Sequence, residues 1–272
     1  MWKRSFNKEI LVRISFLAAT LSLASLACAP LFSQPAQYTG DLNSKPPAPV
    51  KAGPAPRTPD GKPDLSGLWA RPYVPDMTKT NKDQSQVGTP ELPFNDAGLK
   101  EWKSYDAANG DYTGSCLPFG LMRSMNSPDP IQIMQSPTYV ALLYEQNTWF
   151  HIIPIDKKHH DNWSPTWFGD STGHWDGDTF VVDTVNFNGR TRLDTIGHPH
   201  SDALHVIERF TRTDALHMAY EVTIDDPKTF TKPWTNKRVF TLRTDWEIME
   251  YSCEENNKDF YEGHIKAPPP PK

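Results

Sequence analysis

The stretch from Ile131 to Trp246 predicts an antiparallel all-β domain, either an up-and-down barrel or a strongly curled sheet, with one short helix before it. Two observations carry this. Residues 215–224 alternate, with Leu216, Met218, Tyr220, Val222 and Ile224 on one face and His217, Glu221 and Thr223 on the other, the period of a strand with one buried side. Trp175-Asp176-Gly177-Asp178 joins two β-rich runs through an Asp-Gly pair, which tolerates the positive φ angles of a tight hairpin turn.

Eight strands follow from the same criteria: Ile131–Ser136, Tyr139–Glu145, Thr148–Ile155, Ser171–Trp175, Thr179–Phe187, Ala203–Arg212, Ala215–Ile224 and Lys237–Asp245. Several are joined by short turns, among them Thr213-Asp214, so they are read as antiparallel neighbours; that number favours a barrel over a sandwich. A further strand opens at Asp64–Trp69, where Gly67-Leu68-Trp69 resembles the G-x-W that begins lipocalin barrels and implies a Trp plugging one end. An eight-stranded barrel has interior room for one small ligand. The helix is expected at Asn95–Ala108, with Asn95 as a capping residue and Asn109-Gly110 as the stop.

The first 27 residues have a basic front, an apolar centre and a small-residue end, the pattern of a secretory signal peptide. Ser25-Leu26-Ala27-Cys28 resembles a bacterial lipobox, which implies lipidation of Cys28; ordinary cleavage near Ala27 is the other reading. Residues 28–63 are Pro-rich and read as a tether, 64–266 as the β-domain, and 267–272 as a Pro-rich tail. The expected address is the periplasm or outer membrane. With Cys28 set aside, Cys116 and Cys253 are an even pair in an oxidising compartment. They are expected either to form a bridge or to stand as two unrelated buried thiols.

The net charge is −5, and −8 without the first 27 residues, which carry four basic groups and one acid. A chain of that sign has no electrostatic case for nucleic acid. P-loop, Gly-rich dinucleotide and haem-attachment motifs do not occur in the sequence, which removes nucleotide enzymes and c-type cytochromes from consideration.

The run Gly169-Asp170-Ser171-Thr172-Gly173-His174-Trp175-Asp176-Gly177-Asp178-Thr179-Phe180-Val181-Val182-Asp183-Thr184 resembles a motif of a family of bacterial secreted proteins. The likeness extends to the segment 59–69, Cys116-Leu117-Pro118, 197–201, Glu208-Arg209, Asp226-Pro227 with Thr231-Lys232-Pro233-Trp234, and 250–256. It implies an exported compartment and one intact domain, and transfers no activity residue by residue.

Candidate chemistry concentrates in the loop 190–202. His198 and His200 are candidate acid–base groups, with Asp194 or Asp202 to orient an imidazole; a hydrogen-bonded loop is the competing explanation. Asp170 and His174 join the candidate catalytic set, with loop bracing as the alternative for Asp170. Arg123, Glu145, Glu208 and Arg209 are candidate substrate-binding groups, or structural ion pairs. No cofactor is expected; a zinc-like ion on His198 and His200, with His205 or Glu208 as a third donor, is a minority possibility. The leading expectation is an exported barrel that binds a small organic molecule and acts on it by acid–base chemistry, as a lyase, isomerase or hydrolase. The alternative is a non-catalytic binding or envelope-structural lipoprotein. A membrane partner is expected only through the lipid anchor.

Overall fold

A computed structural model describes residues 52–106 and 111–255, together with 257, 258 and 262. The signal segment, Cys28 and the 267–272 tail lie outside the described residues.

The described residues contain ten strands: β1 (Gly67–Ala70), β2 (Gln86–Val87), β3 (Ile131–Gln135), β4 (Tyr139–Tyr144), β5 (Phe150–Pro154), β6 (Asp170–Asp176), β7 (Thr179–Val185), β8 (His205–Arg212), β9 (His217–Asp225) and β10 (Trp234–Leu242). Nine form one sheet in the order β5-β4-β3-β1-β10-β9-β8-β7-β6, every neighbouring pair antiparallel. β2 adds to β10. At the seam β5 meets β6 through a single parallel bridge, Ile155 to Gly173, so the sheet curls into a nearly closed barrel. The all-β barrel expectation is met.

Register explains the core. In β8 the residues Val206, Glu208, Phe210 and Arg212 are buried, and across the ladder Phe210 pairs with both Phe180 and Tyr220. Trp69, Phe180, Phe210, Tyr220 and Phe240 are at most 1% exposed, filling the barrel with aromatic rings. Trp69 donates its Nε1–H to Leu65 O at 2.9 Å, and the Arg212 guanidinium lies 5.1 Å from its ring centre. Gly173 faces inward against Phe180, where a Cβ would overlap the ring; glycine is required there.

The two ends of the barrel differ. One carries the short turns at 136–138, 177–178 and 213–216. The other carries the long connections 71–130 and 186–204, and with them both α-helices. Helix α1 (Asp96–Ser104) begins where expected, with Asn95 Oδ1 accepting the Gly98 N–H at 2.9 Å, and stops four residues earlier than the sequence reading.

Helix α2 (Leu121–Asn126) was not anticipated. All six of its residues are buried, so it has no polar face from which a helical period could be read. Its last carbonyls face two buried guanidinium groups: Arg71 donates to Ser124 O at 2.8 Å and Arg238 to Met125 O at 2.9 Å. Cations suit a helix C-terminus because its final carbonyls lack partners within the helix.

The predicted tether ends sooner than 63. Residues 52–63 rest on the turn end, with Ala215 N–H donating to Gly53 O and Arg57 forming a two-pronged pair with Asp178. The turn at Pro59-Asp60-Gly61, with Gly61 at φ +81°, folds the segment back on itself.

Cys116 and Cys253 form a disulfide. A stable bridge belongs to an oxidising, non-cytoplasmic environment.

Candidate functional site

The long-loop end holds a cleft of about 260 Å³, lined by Tyr73, Phe119, Arg123, Ser127, Pro128, Asp129, Gln146 and Thr195. These residues come from the connection after β1, the two flanks of α2 with Arg123 from α2 itself, the turn after β4 and the 190–202 loop. The cleft thus brings together Arg123 and the rim loop that the sequence singles out.

Arg123 is 7% exposed. Its Nη2 donates to Asp111 Oδ2 at 2.6 Å, while its Nη1 is buried without a hydrogen-bond partner. Gln146 Oε1 is likewise buried and unpartnered. Tyr112 and Phe119 rings flank the guanidinium at 5.6 and 5.5 Å. A half-satisfied buried guanidinium carries a donor for which burial supplies no water, a cost of about 1–3 kcal/mol until an acceptor arrives. The Asp111 that holds Arg123 precedes the 3₁₀ turn Tyr112–Ser115, and Cys116 ties that turn to Cys253.

Behind the cleft the loop 190–202 folds on its own side chains. Asp194 and His198 are 0% and 1% exposed, with His198 Nδ1 2.6 Å from Asp194 Oδ2. Asp194 also accepts the Met77 and His198 backbone N–H groups. The Phe94 and Trp102 rings pack on His198 at 6.0 and 4.9 Å. His200 is separate. Its Nδ1–H donates to Ser201 O at 2.9 Å, so its Nε2 accepts the Thr191 hydroxyl at 2.6 Å. That imidazole is held neutral, and burial pushes its pKa down.

The expected donor set of His198, His200, His205 and Glu208 is not assembled. Both His200 nitrogens are engaged elsewhere, His205 projects to the outer face, and Glu208 points into the barrel. Asp202 lies on the surface paired with Lys228.

Asp170 and His174 do not join the loop. Asp170 accepts the His160 backbone N–H at 2.7 Å and its Nδ1–H at 2.9 Å. Burial raises its pKa, but these bonds outweigh it and hold the carboxyl below the usual range. His160 in turn stacks flat on Trp163, with ring centres 3.6 Å apart. Nearby, Asp183 bridges His159 Nε2 at 3.0 Å and His205 Nε2 at 3.1 Å on the outer face. His174 is exposed on β6. Glu145 accepts the Met249 N–H at 2.9 Å, which fastens the C-terminal segment, and Arg209 pairs with Asp176 on the outer face.

The barrel interior holds a polar cluster that the sequence only hints at. Tyr220 donates to Glu208 Oε1 at 2.8 Å, while Glu208 Oε2 and Arg238 Nη2 are buried without partners. Burial drives the Glu208 pKa from 4.5 up to about 7 against the opposing pull of Tyr220 and Arg238. His151 is fully buried, which drives its pKa down to about 4; its Nε2 lies 2.7 Å from Ser171 Oγ. The pattern that places Glu208 inside and Arg209 outside is legible in β8; the pairing with Tyr220 needs the register.

No family model, curated protein or solved structure matches this chain.

Proposed function

We propose that this protein is an exported β-barrel that binds a small organic anion, such as a carboxylate, in the cleft at its long-loop end. The observation that carries this reading is Arg123: a buried guanidinium on the wall of a cleft, fixed by Asp111 on one side, with the Tyr105 hydroxyl beside it and Nη1 in no hydrogen bond of good geometry. A planar carboxylate supplies the acceptor that this geometry lacks. Tyr73, Ser127, Gln146 and Thr195 offer further polar groups, and Phe119 offers an apolar wall. At about 260 Å³ the cleft suits a ligand at the small end of the range for organic molecules, roughly 300–1,000 Å³.

The address proposed is the periplasm or the outer membrane, with Cys28 as a lipid anchor.

The test is a thermal-shift screen of small carboxylates, sulfonates and their uncharged amides. A ligand at one hundred times its Kd adds about 2.7 kcal/mol, roughly a 5–10 °C rise for a domain of this size. Carboxylates should stabilise and amides should not. Arg123→Met, and separately Gln146→Leu, should weaken binding at least tenfold; the second variant guards against loss of the Asp111 partner. Absence of any anion-specific response overturns the proposal.

A second reading, acid–base turnover, applies to a molecule that reaches the barrel interior rather than the cleft, where Glu208 has its pKa raised by burial and an unpartnered Oε2. It predicts slow conversion of a bound ligand, seen by NMR, that Glu208→Gln abolishes without changing affinity.

A further inference from the structure

The connection after β1 passes along the 190–202 loop: Ile196 N–H donates to Pro75 O at 3.1 Å and Met77 N–H to Asp194 Oδ2 at 2.9 Å. This contact sets Asp76 beside the Asp194–His198 pair. One donor atom from each of the three side chains lies within 4.8 Å of the other two. Asp194 and His198 are sealed from solvent, whereas Asp76 is only partly covered, with its Oδ1 accepting the Thr78 N–H and hydroxyl.

The local hydrogen bonding leaves a problem that a cation solves. His198 Nδ1 is 2.6 Å from a carboxylate oxygen, while Nε2 is buried and has no hydrogen-bond partner. With the proton on Nδ1, the Nε2 lone pair is buried with no donor to meet it, in a ring packed by Phe94 and Trp102. With the proton on Nε2, that N–H can face the aromatic π-systems, but a nitrogen lone pair then opposes a carboxylate lone pair. A divalent ion on the Nδ1 side removes both conflicts and offsets two carboxylates at once. The Arg238 guanidinium, which feels the charge of Asp194, is already bonded to Met125 O and Asn236.

We propose that Asp76, Asp194 and His198 form a divalent transition-metal site. Two carboxylate oxygens and one imidazole nitrogen suit Zn²⁺, Mn²⁺ or Fe²⁺; calcium prefers six to eight oxygens. With the metal on Nδ1 the single imidazole proton sits on Nε2, so the neutral ring keeps its proton and changes only its tautomer. Three protein donors leave a coordination position for water or a ligand on the Asp76 side. The proposal does not depend on the anion cleft.

The experiment is calorimetric titration of chelator-treated full-length protein with Zn²⁺, in two buffers of different ionisation enthalpy, with a parallel Co²⁺ titration followed by visible absorption. The expected result is one equivalent bound in both buffers, and Co²⁺ bands of a low-coordinate N/O site. Asp76→Asn should weaken Zn²⁺ at least tenfold without lowering the Tm of the metal-free protein by more than about 2 °C. His198→Gln should abolish binding. A His159→Gln/His205→Gln double variant should bind as wild type. No saturable binding overturns the proposal. So does binding that survives both site variants or is lost in the outer-face double variant.

Discussion

Replacing Glu208 by Gln should stabilise the barrel above neutral pH and leave it nearly unchanged in acid. Glu208 lies inside the barrel, where burial raises its pKa from 4.5 to about 7 despite the Tyr220 hydrogen bond and the Arg238 charge. A carboxyl whose folded pKa is raised binds its proton more tightly in the folded state. Its contribution is therefore fully present below pH 4.5 and is lost as pH rises through about 7. A shift of this size corresponds to about 3 kcal/mol, all of it lost across that window. Glutamine keeps the shape and an acceptor for Tyr220 but cannot ionise. The Tm of Glu208→Gln minus that of wild type should therefore grow between pH 4.5 and 7 and level off above. For a domain of this size about 3 kcal/mol is roughly 6–12 °C. Circular dichroism melts at half-unit pH steps measure it. His151 and His200 titrate in both proteins and cancel in the difference. A difference independent of pH, or a variant less stable than wild type at pH 8, refutes the reasoning.

Other outcomes follow from the same physical picture. His151, fully buried with its pKa pushed down to about 4, stays neutral in the fold; stability falls by about 3 kcal/mol as pH drops from 6.5 through 4. His151→Asn should remove most of that acid-side slope in urea melts. The Cys116–Cys253 bridge spans a sequence separation of 137 residues, worth up to about 5 kcal/mol in the chain-entropy account, so the double Ser variant should unfold at clearly lower urea. Because the bridge secures the turn carrying Asp111, that variant should also bind anions more weakly at temperatures where it remains folded. Gly197→Ala should cost more than 2 kcal/mol, since Gly197 sits at φ +91° and a Cβ there would overlap the Tyr105 ring; a Tm within 1 °C of wild type would contradict the loop description.

The sheet was legible because its signals are local. Alternation in β9, the Asp176-Gly177 turn and Gly67-Leu68-Trp69 each report on a few adjacent residues, and antiparallel order follows where connections are short. Helix α2 was not legible, because its six residues, Arg123 among them, are buried on every side and show neither period nor side-chain cap. Asp194 and His198 were readable as a pair since they are four residues apart in one loop. His200 was grouped with them by proximity alone, although its ring is held by Thr191 and Ser201. Asp76 gave no signal: it lies in a Pro- and Thr-containing connection more than a hundred residues from its partners. The same holds for Asp183, which the β7–β8 register brings to His205 and the connection between β5 and β6 brings to His159. Arg123 stood out as a cation among apolar residues, yet its value to a ligand depends on which nitrogen Asp111 leaves free.

The most direct test of the anion cleft is the side-chain ¹⁵N spectrum of Arg123, assigned by comparison with Arg123→Lys, during titration with a carboxylate found by thermal shift. The account predicts a saturable shift of the Arg123 guanidinium signals with the same Kd as the thermal response, and no shift with the matching amide. Saturation that moves the Arg71, Arg238 or Arg209 signals while leaving Arg123 in place would contradict it.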